Sequence, residues 1–254
     1  MYLGIDIGSS SSKAVILGPE KERLAAQVEN LGTGTKGAAQ ALELAYAAAG
    51  LRPEDIRRTV ATGYGRLTFS GADKQITEIT CHAKGARFLL PELHTIVDIG
   101  GQDTKAIRLS PTGLVDNFVM NDKCAAGTGR FLEVMARVLG CSLEELSGLA
   151  AAGEEPVSIS NLCTVFAESE VISLVGRGVP RQDIAYGILE SITDKVAAQC
   201  SQLGSQPRYF LTGGLCQCPE LVRSLERKLQ APLETCPDAR YAGAIGAALF
   251  AQSL

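Results

Sequence analysis

"DIGSSSSKAVILGP", residues 6–19, returns as "DIGGQDTKAIRLSP", residues 98–111, at an offset of 92 positions (98 − 6). Asp6/Asp98, Ile7/Ile99, Gly8/Gly100, Ser12/Thr104, Lys13/Lys105, Ala14/Ala106, Leu17/Leu109 and Pro19/Pro111 all correspond. Agreement over so many positions marks a duplicated structural unit. Each copy reads as an apolar strand, a Gly/Ser-rich turn, a second short strand and a turn at Gly18-Pro19 or Pro111-Thr112-Gly113. That order is a β-hairpin, not a strand running into a helix. It argues against both a Walker P-loop, whose GxxxxGK[ST] is absent, and a Rossmann fingerprint. Helical stretches are expected at "GAAQALELAYAAAGL" (37–51), "GTGRFLEVMARVLG" (127–140) and about 183–203. Strands and helices in two copies imply an α/β protein of two lobes.

Bulk composition narrows the classes of function. The chain has 254 residues, 46% hydrophobic and 20% charged, with a formal net charge of −4. No basic cluster or aromatic–basic stripe is present, which argues against nucleic acid as a partner. No run reaches the roughly 18 apolar residues of a membrane span. "MYLGIDIG" carries no cationic segment ahead of a hydrophobic one, so it does not read as a signal peptide, and a cytoplasmic location is expected. Eight cysteines are many for a reducing compartment, where clustered thiols point to metal or redox chemistry. With no CxxC pair and only His82 and His94, a closed zinc site is not expected.

The hairpin turns are candidate phosphate binders. Ser9, Ser10, Ser11 and Ser12 in one copy, and Gly100 and Gly101 in the other, offer backbone N–H groups and hydroxyls. Lys13 adds a point charge. Asp6 and Asp98, at equivalent strand ends, are placed to hold Mg²⁺ through water. Gln102 or Asp103 is placed to orient a hydrolytic water, which puts both with Asp6 in a candidate catalytic set. A later strand ends at Thr212-Gly213-Gly214 within "YFLTGGLCQCPEL" (209–221), where paired glycines permit close approach to a base or ribose. Arg240 completes the expected nucleotide contacts. The C-terminal "YAGAIGAALFAQ" reads as a small-residue helix packed closely on a neighbour.

"NDKCAAGTGRFLE" (121–133) and "CTVFAESEVISLV" (163–175) pose a separate question. Cys124 and Cys163 each precede an apparent helix, whose N-terminal dipole and free N–H groups favour a thiolate or an anionic cluster. A free cysteine is also among the residues most often buried as an inert thiol. A nucleophile would need a base, and no histidine lies near either segment. On residues alone, ligand and buried thiol both stay open. Glu168 and Glu170 are expected to face solvent or a subunit partner. Cys81, Cys141 and Cys200 read as packing positions, and His82 as a structural histidine.

Taken in order, the two phosphate hairpins and the Gly-Gly strand end resemble the acetate kinase/sugar kinase/Hsp70/actin superfamily. Within it, "ATGYGR" (61–66), "ADKQITEITCHAKGA" (72–86), "VDIGGQD" (97–103) and the two cysteine segments are similar to the ATP-dependent activators (component A) of 2-hydroxyacyl-CoA dehydratases, relatives of the benzoyl-CoA reductase ATPase subunits. The resemblance covers essentially the whole chain. It implies two RNase H-like lobes with a nucleotide cleft between them. The first spans 1–94, with the helix at 241–254 packed back on it, and the second spans 95–240. It implies ATP/ADP, Mg²⁺ and one [4Fe-4S] cluster per homodimer, with Cys124 and Cys163 of each subunit as ligands. It also implies reduced ferredoxin or flavodoxin as donor, and a 2-hydroxyacyl-CoA dehydratase or double-cubane iron–sulfur enzyme as acceptor. Cys216, Cys218 and Cys236 depart from that pattern and carry no expected role. Two rivals remain: a small-molecule kinase, which has no use for the cysteine pair, and a non-catalytic nucleotide-regulated scaffold, against which the Gln102/Asp103 turn counts.

Overall fold

The computed structural model describes residues 1–254. The chain forms two compact units. One comprises Met1–His94, Leu109–Asp116 and Pro237–Leu254; the other comprises Thr95–Arg108 and Asn117–Cys236. The turn at 109–116 and Arg240 thus belong with the first unit, a finer division than a cut at residue 95.

The first unit is built on a five-stranded sheet ordered β3-β2-β1-β4-β5. Its strands are β1 (Tyr2–Ile7), β2 (Ser12–Leu17), β3 (Arg23–Glu29), β4 (Arg58–Thr62) and β5 (Lys74–Gln75). β1 runs antiparallel to β2 and parallel to β4. Helix α1 (Gly37–Ala49) covers one face, where Leu3, Ala14, Ile16 and Ala25 pack against Ala41 and Ala45. Helix α8 (Ala242–Gln252) covers the other, against Val15, Leu17 and Val60. Burial on both faces explains why β1 and β2 read as almost continuous apolar runs rather than alternating ones. Gly4 shows how close α8 comes, since a Cβ there would lie 2.0 Å from the Ala244 carbonyl oxygen. Helix α2 (Glu78–Leu89) crosses α8 at equally short range: a Cβ on Gly85 or Gly246 would lie 1.9 Å from a backbone oxygen of the other helix. The run of small residues near the C-terminus is the price of that contact.

The second unit repeats the plan. Its sheet is ordered β10-β9-β6-β7-β8, from β6 (Thr95–Ile99), β7 (Thr104–Leu109), β8 (Val115–Asn121), β9 (Tyr209–Gly213) and β10 (Leu233–Glu234). β6 pairs antiparallel with β7 and parallel with β9, as β1 does with β2 and β4. Helices α3 (Gly129–Val138), α4 (Leu143–Ala151), α5 (Thr164–Gly176), α6 (Arg181–Leu203) and α7 (Pro219–Leu229) pack among themselves. Both hairpins extend into a third antiparallel strand, β3 or β8, which the sequence reading passes over. Both are edge strands with much of their surface open, so they lack the apolar pattern that marks their neighbours. No helix is long and apolar enough to cross a membrane.

Candidate functional site

The repeat places one carboxylate in the same frame twice. In the first unit Asp6 faces Lys13 across the β1–β2 pair and Thr62 across the β1–β4 pair. In the second, Asp98 faces Lys105 across β6–β7 and Thr212 across β6–β9. Each flanking strand then ends at a glycine in the left-handed region, Gly63 at φ 85° and Gly213 at φ 92°. A Cβ on Gly63 would lie 2.4 Å from Asp6 Oδ1, and one on Gly213 would lie 2.2 Å from the Ile99 carbonyl oxygen. Only glycine meets both the dihedral and the approach. Thr62-Gly63 is therefore the counterpart of Thr212-Gly213, which the sequence reading missed. The signal was present, an apolar strand running into Thr-Gly in both "TVATG" (59–63) and "YFLTG" (209–213).

The two frames differ in charge balance. Asp6 is buried at 3% exposure, and its Oδ1 has no hydrogen-bond partner. Lys13 Nζ stands 3.9 Å from its Oδ2, and Gly243 in the first turn of α8 comes so near that a Cβ would lie 2.8 Å from the same oxygen. A buried carboxylate with one unpartnered oxygen and the other beside a helix N-terminus fits a hydrated cation. Asp98, by contrast, is engaged on both oxygens. Thr212 Oγ1 donates to Oδ1 at 2.8 Å, and Lys105 Nζ donates to Oδ2 at 3.1 Å. Lys105, 1% exposed, also pairs with Asp103 Oδ1 at 3.0 Å. Lys105 is thus a buried internal counter-ion where Lys13 is more open.

The turns themselves share a geometry: Gly8 N–H donates to the Ser11 carbonyl and Gly100 N–H to the Asp103 carbonyl, each at 2.9 Å. Ser12 is buried and its Oγ donates to the Leu31 carbonyl at 2.9 Å, a structural use. Ser10 and Gln102 are exposed, and Ser9, Ser11, Gly101 and Asp103 are half-buried. Gly214 is exposed with open space where a Cβ would be. Arg240, in the first unit, lies over the Tyr241 ring at 5.7 Å and leaves its buried Nε without a partner.

The second turn is joined to the Cys124 loop. Gly129 and Arg130 at the start of α3 donate to the carbonyls of Gly100 and Gly101 at 2.9 and 2.8 Å, and Thr104 Oγ1 donates to the Gly127 carbonyl at 2.5 Å. Cys124 does not begin α3, contrary to the sequence reading. The N-cap is Thr128, and Cys124 sits in the preceding loop, because residues 121–127 are spent on side-chain-held turns. Asn121 organises that loop: its Nδ2 donates to the carbonyls of Cys124 and Ala126 at 2.8 and 3.0 Å, and its Oδ1 accepts from Cys124 N–H at 3.3 Å.

Cys163 does take the expected position. It is the N-cap of α5, and its side chain makes no capping bond, so the thiol is left for another purpose. Cys124 Sγ donates to the carbonyl of Leu162, the neighbour of Cys163, at 3.6 Å, which brings the two cysteine segments together. Both thiols are free and half-buried, and Thr164 Oγ1 beside them is buried without a partner. Two free thiols, one the N-cap of α5 and one held in a loop against the segment before it, fit half the ligand set of an iron–sulfur cluster. Glu170, expected to face outward, also accepts from Ser160 N–H at 2.7 Å and so fixes the approach to Cys163. Val165, Phe166 and Ile172 on α5, with Leu162 just ahead of its N-cap, are exposed apolar side chains, from 56% to 78% exposed.

The remaining cysteines differ in kind. Burial pushes the thiols of Cys81 and Cys200 up to about 12. Cys141 is raised in the same direction, again by burial. Cys218 Sγ donates to Ser147 Oγ at 3.2 Å. His82 is buried, with Nδ1 3.2 Å from the Glu78 carbonyl oxygen.

Residues 3–251 match the BadF/BadG/BcrA/BcrD ATPase family. The activator of lactoyl-CoA dehydratase from Anaerotignum propionicum is 51% identical over 99% of this chain and 97% of its own length. A solved activator of 2-hydroxyisocaproyl-CoA dehydratase from Clostridium difficile, with bound ADPNP, superposes at a TM-score of 0.96 with 44% identity, covering 100% of this chain and 95% of that one. For the fold alone, a ROK family glucokinase from Streptomyces griseus gives a TM-score of 0.60 at 14% identity, over 100% of this chain and 99% of that one. The duplicated α/β frame, of the actin/Hsp70/sugar kinase type, agrees with the match: the chain belongs to the BadF/BadG/BcrA/BcrD ATPase family.

Proposed function

We propose that this protein is an ATP-driven electron-transfer activator, and that a pair of chains holds one [4Fe-4S] cluster through Cys124 and Cys163 of each. The carrying observation is the meeting of Cys124 Sγ with the carbonyl of Leu162, at the uncapped N-terminus of α5. One chain offers two such thiols where a cluster needs four, so two-fold symmetry completes the set. The exposed apolar side chains of Leu162, Val165, Phe166 and Ile172 suit an interface between copies. When bound, the cluster supplies one-electron storage.

Each hairpin turn is assigned a phosphate-binding role, Ser9–Ser11 and Lys13 in one and Gly100–Gly101 in the other, and Gly213, Gly214 and Arg240 are assigned to the nucleoside. Asp6 holds Mg²⁺ through water, a role its unpartnered Oδ1 supports. Asp98, already paired, takes a lesser part and works with Lys105 to hold Asp103, which with Gln102 orients the attacking water. The hydrogen bonds from Gly129 and Arg130 to the Gly100–Gly101 turn give a physical route by which nucleotide contacts reach the Cys124 loop. The electron comes from reduced ferredoxin or flavodoxin and passes to a 2-hydroxyacyl-CoA dehydratase or double-cubane enzyme; the names of the relatives support the dehydratase.

Anaerobic purification with an iron count tests this reading. About four irons per two chains are expected, with a brown absorption spectrum. The double variant Cys124→Ser/Cys163→Ser should lose iron and keep ATP binding. Iron retained by that variant, or a colourless monomer with strict exclusion of oxygen, would overturn the assignment. A small-molecule kinase would instead be colourless and turn over ATP only with an acceptor.

A further inference from the structure

Lys195, on α6, is far in sequence from every motif discussed above, yet it lies at the meeting of the two cysteine segments. Its Nζ donates to the Asn161 carbonyl at 3.2 Å and stands 3.9 Å from Cys124 Sγ. Its aliphatic stem lies over Gly127, where a Cβ would come within 2.9 Å of Lys195 Cδ. Gly127 sits at φ 88°, and its carbonyl accepts from Thr104 of the hairpin. One side chain thus spans the loop that carries Cys124, the segment leading to Cys163 and the turn tied to β7.

We propose that Lys195 is a positioning residue that places a fixed positive charge against the cluster ligand Cys124 and raises the potential at which the bound cluster accepts its electron; this rests on the cluster reading above. A cluster held by four thiolates gains a negative charge on reduction, so a cation beside one ligand sulfur stabilises the reduced form more than the oxidised form. The half-buried setting limits the screening that water would give. In a two-fold pair, each copy brings one such ammonium, so both flanks of the shared centre are covered. The bond to Asn161 fixes the ammonium in place, which a freely moving surface lysine would not achieve. Arginine keeps the charge, glutamine keeps a donor without the charge, and methionine keeps only the stem.

The experiment is an anaerobic redox titration of Lys195→Arg, Lys195→Gln and Lys195→Met beside the unaltered protein, with iron counted in each. The expected result is full iron in all, a midpoint near that of the parent in Lys195→Arg, and a lower midpoint in the other two. A tenfold weaker electron affinity corresponds to about 59 mV for one electron, and a shift of that order is expected. If methionine costs the cluster, glutamine carries the comparison. Loss of iron from both neutral variants, with retention in Lys195→Arg, also upholds the charge. Equal midpoints in iron-replete Lys195→Gln and the parent overturn the proposal while leaving the cluster reading intact, and so does loss of iron from all three, which assigns a purely structural role. Absence of iron from the parent protein defeats both.

Discussion

Asn121→Ala gives the sharpest test of how the Cys124 loop is held. Asn121 ends β8 and closes the loop with three hydrogen bonds, two from Nδ2 to the carbonyls of Cys124 and Ala126 and a longer one into Oδ1 from Cys124 N–H. A buried or half-buried hydrogen bond contributes about 0.5–1.5 kcal/mol net, so losing two good ones and a long one costs about 2–3 kcal/mol. The loop is also pinned by Thr104 to Gly127, Thr128 to Ala125, Cys124 Sγ to the Leu162 carbonyl and Lys195 at its side. The loss should therefore appear as local opening and not as global unfolding. At about 1.4 kcal/mol per decade, the opening equilibrium rises roughly 30- to 140-fold. Native-state hydrogen exchange reads this directly: amides of 122–127 should lose protection by that factor, while strands β6 and β9 keep theirs. Iron retention should fall in parallel. Unchanged exchange at 122–127 in a folded Asn121→Ala protein would refute the reasoning, because the loop order would then come from packing alone.

Further predictions follow from burial and charge. Cys81 and Cys200 should resist alkylation at pH 8 in the folded protein, since thiols near 12 are ionised there to roughly one part in 10⁴, whereas Cys124 and Cys163 of the iron-free chain should react first. For stability the sign is set by the raised folded value. Unfolded thiols ionise near 9 and these two stay protonated to about 12, so their contribution is whole below pH 9 and falls by about 1.4 kcal/mol per pH unit for each thiol above it; Cys81→Ala should flatten half of that decline in denaturant titrations. Phe166→Glu, at a side chain 64% exposed, should leave the melting temperature of the chain little changed but convert a pair to monomers in sedimentation velocity; a stable dimer would remove α5 from the interface. Gly246→Ala forces a Cβ to within 1.9 Å of the Cys81 carbonyl oxygen and should cost about 1–3 kcal/mol or more, seen as a lower thermal midpoint.

Much of the frame was legible because strand pairing has a period of two and a repeat preserves it. The correspondence of Asp6 with Asp98 and Lys13 with Lys105 becomes an identical cross-strand register in both sheets. Cys163 was legible as a helix start because an apolar periodic run follows it directly. Cys124 was misplaced because the helix-favouring Ala125-Ala126 follows it directly, while the actual start depends on the hairpin carbonyls that accept from Gly129 and Arg130. Thr62-Gly63 was overlooked because its equivalence to Thr212-Gly213 rests on parallel pairing to strands distant in sequence, which no local pattern records.

The amino-acid order alone determined that two copies of one hairpin unit exist and which carboxylates end their first strands, while it left Cys124 and Cys163 open between ligand and buried thiol. Those are matters of local period and residue type. Tertiary structure decided that Asp6 keeps an unpartnered oxygen while Asp98 is paired with a buried lysine, and that Lys195 reaches both cysteine segments. Charge balance and reach are set by what distant elements bring within about 4 Å, where Coulomb and hydrogen-bond energies are large, and chain order does not encode that distance.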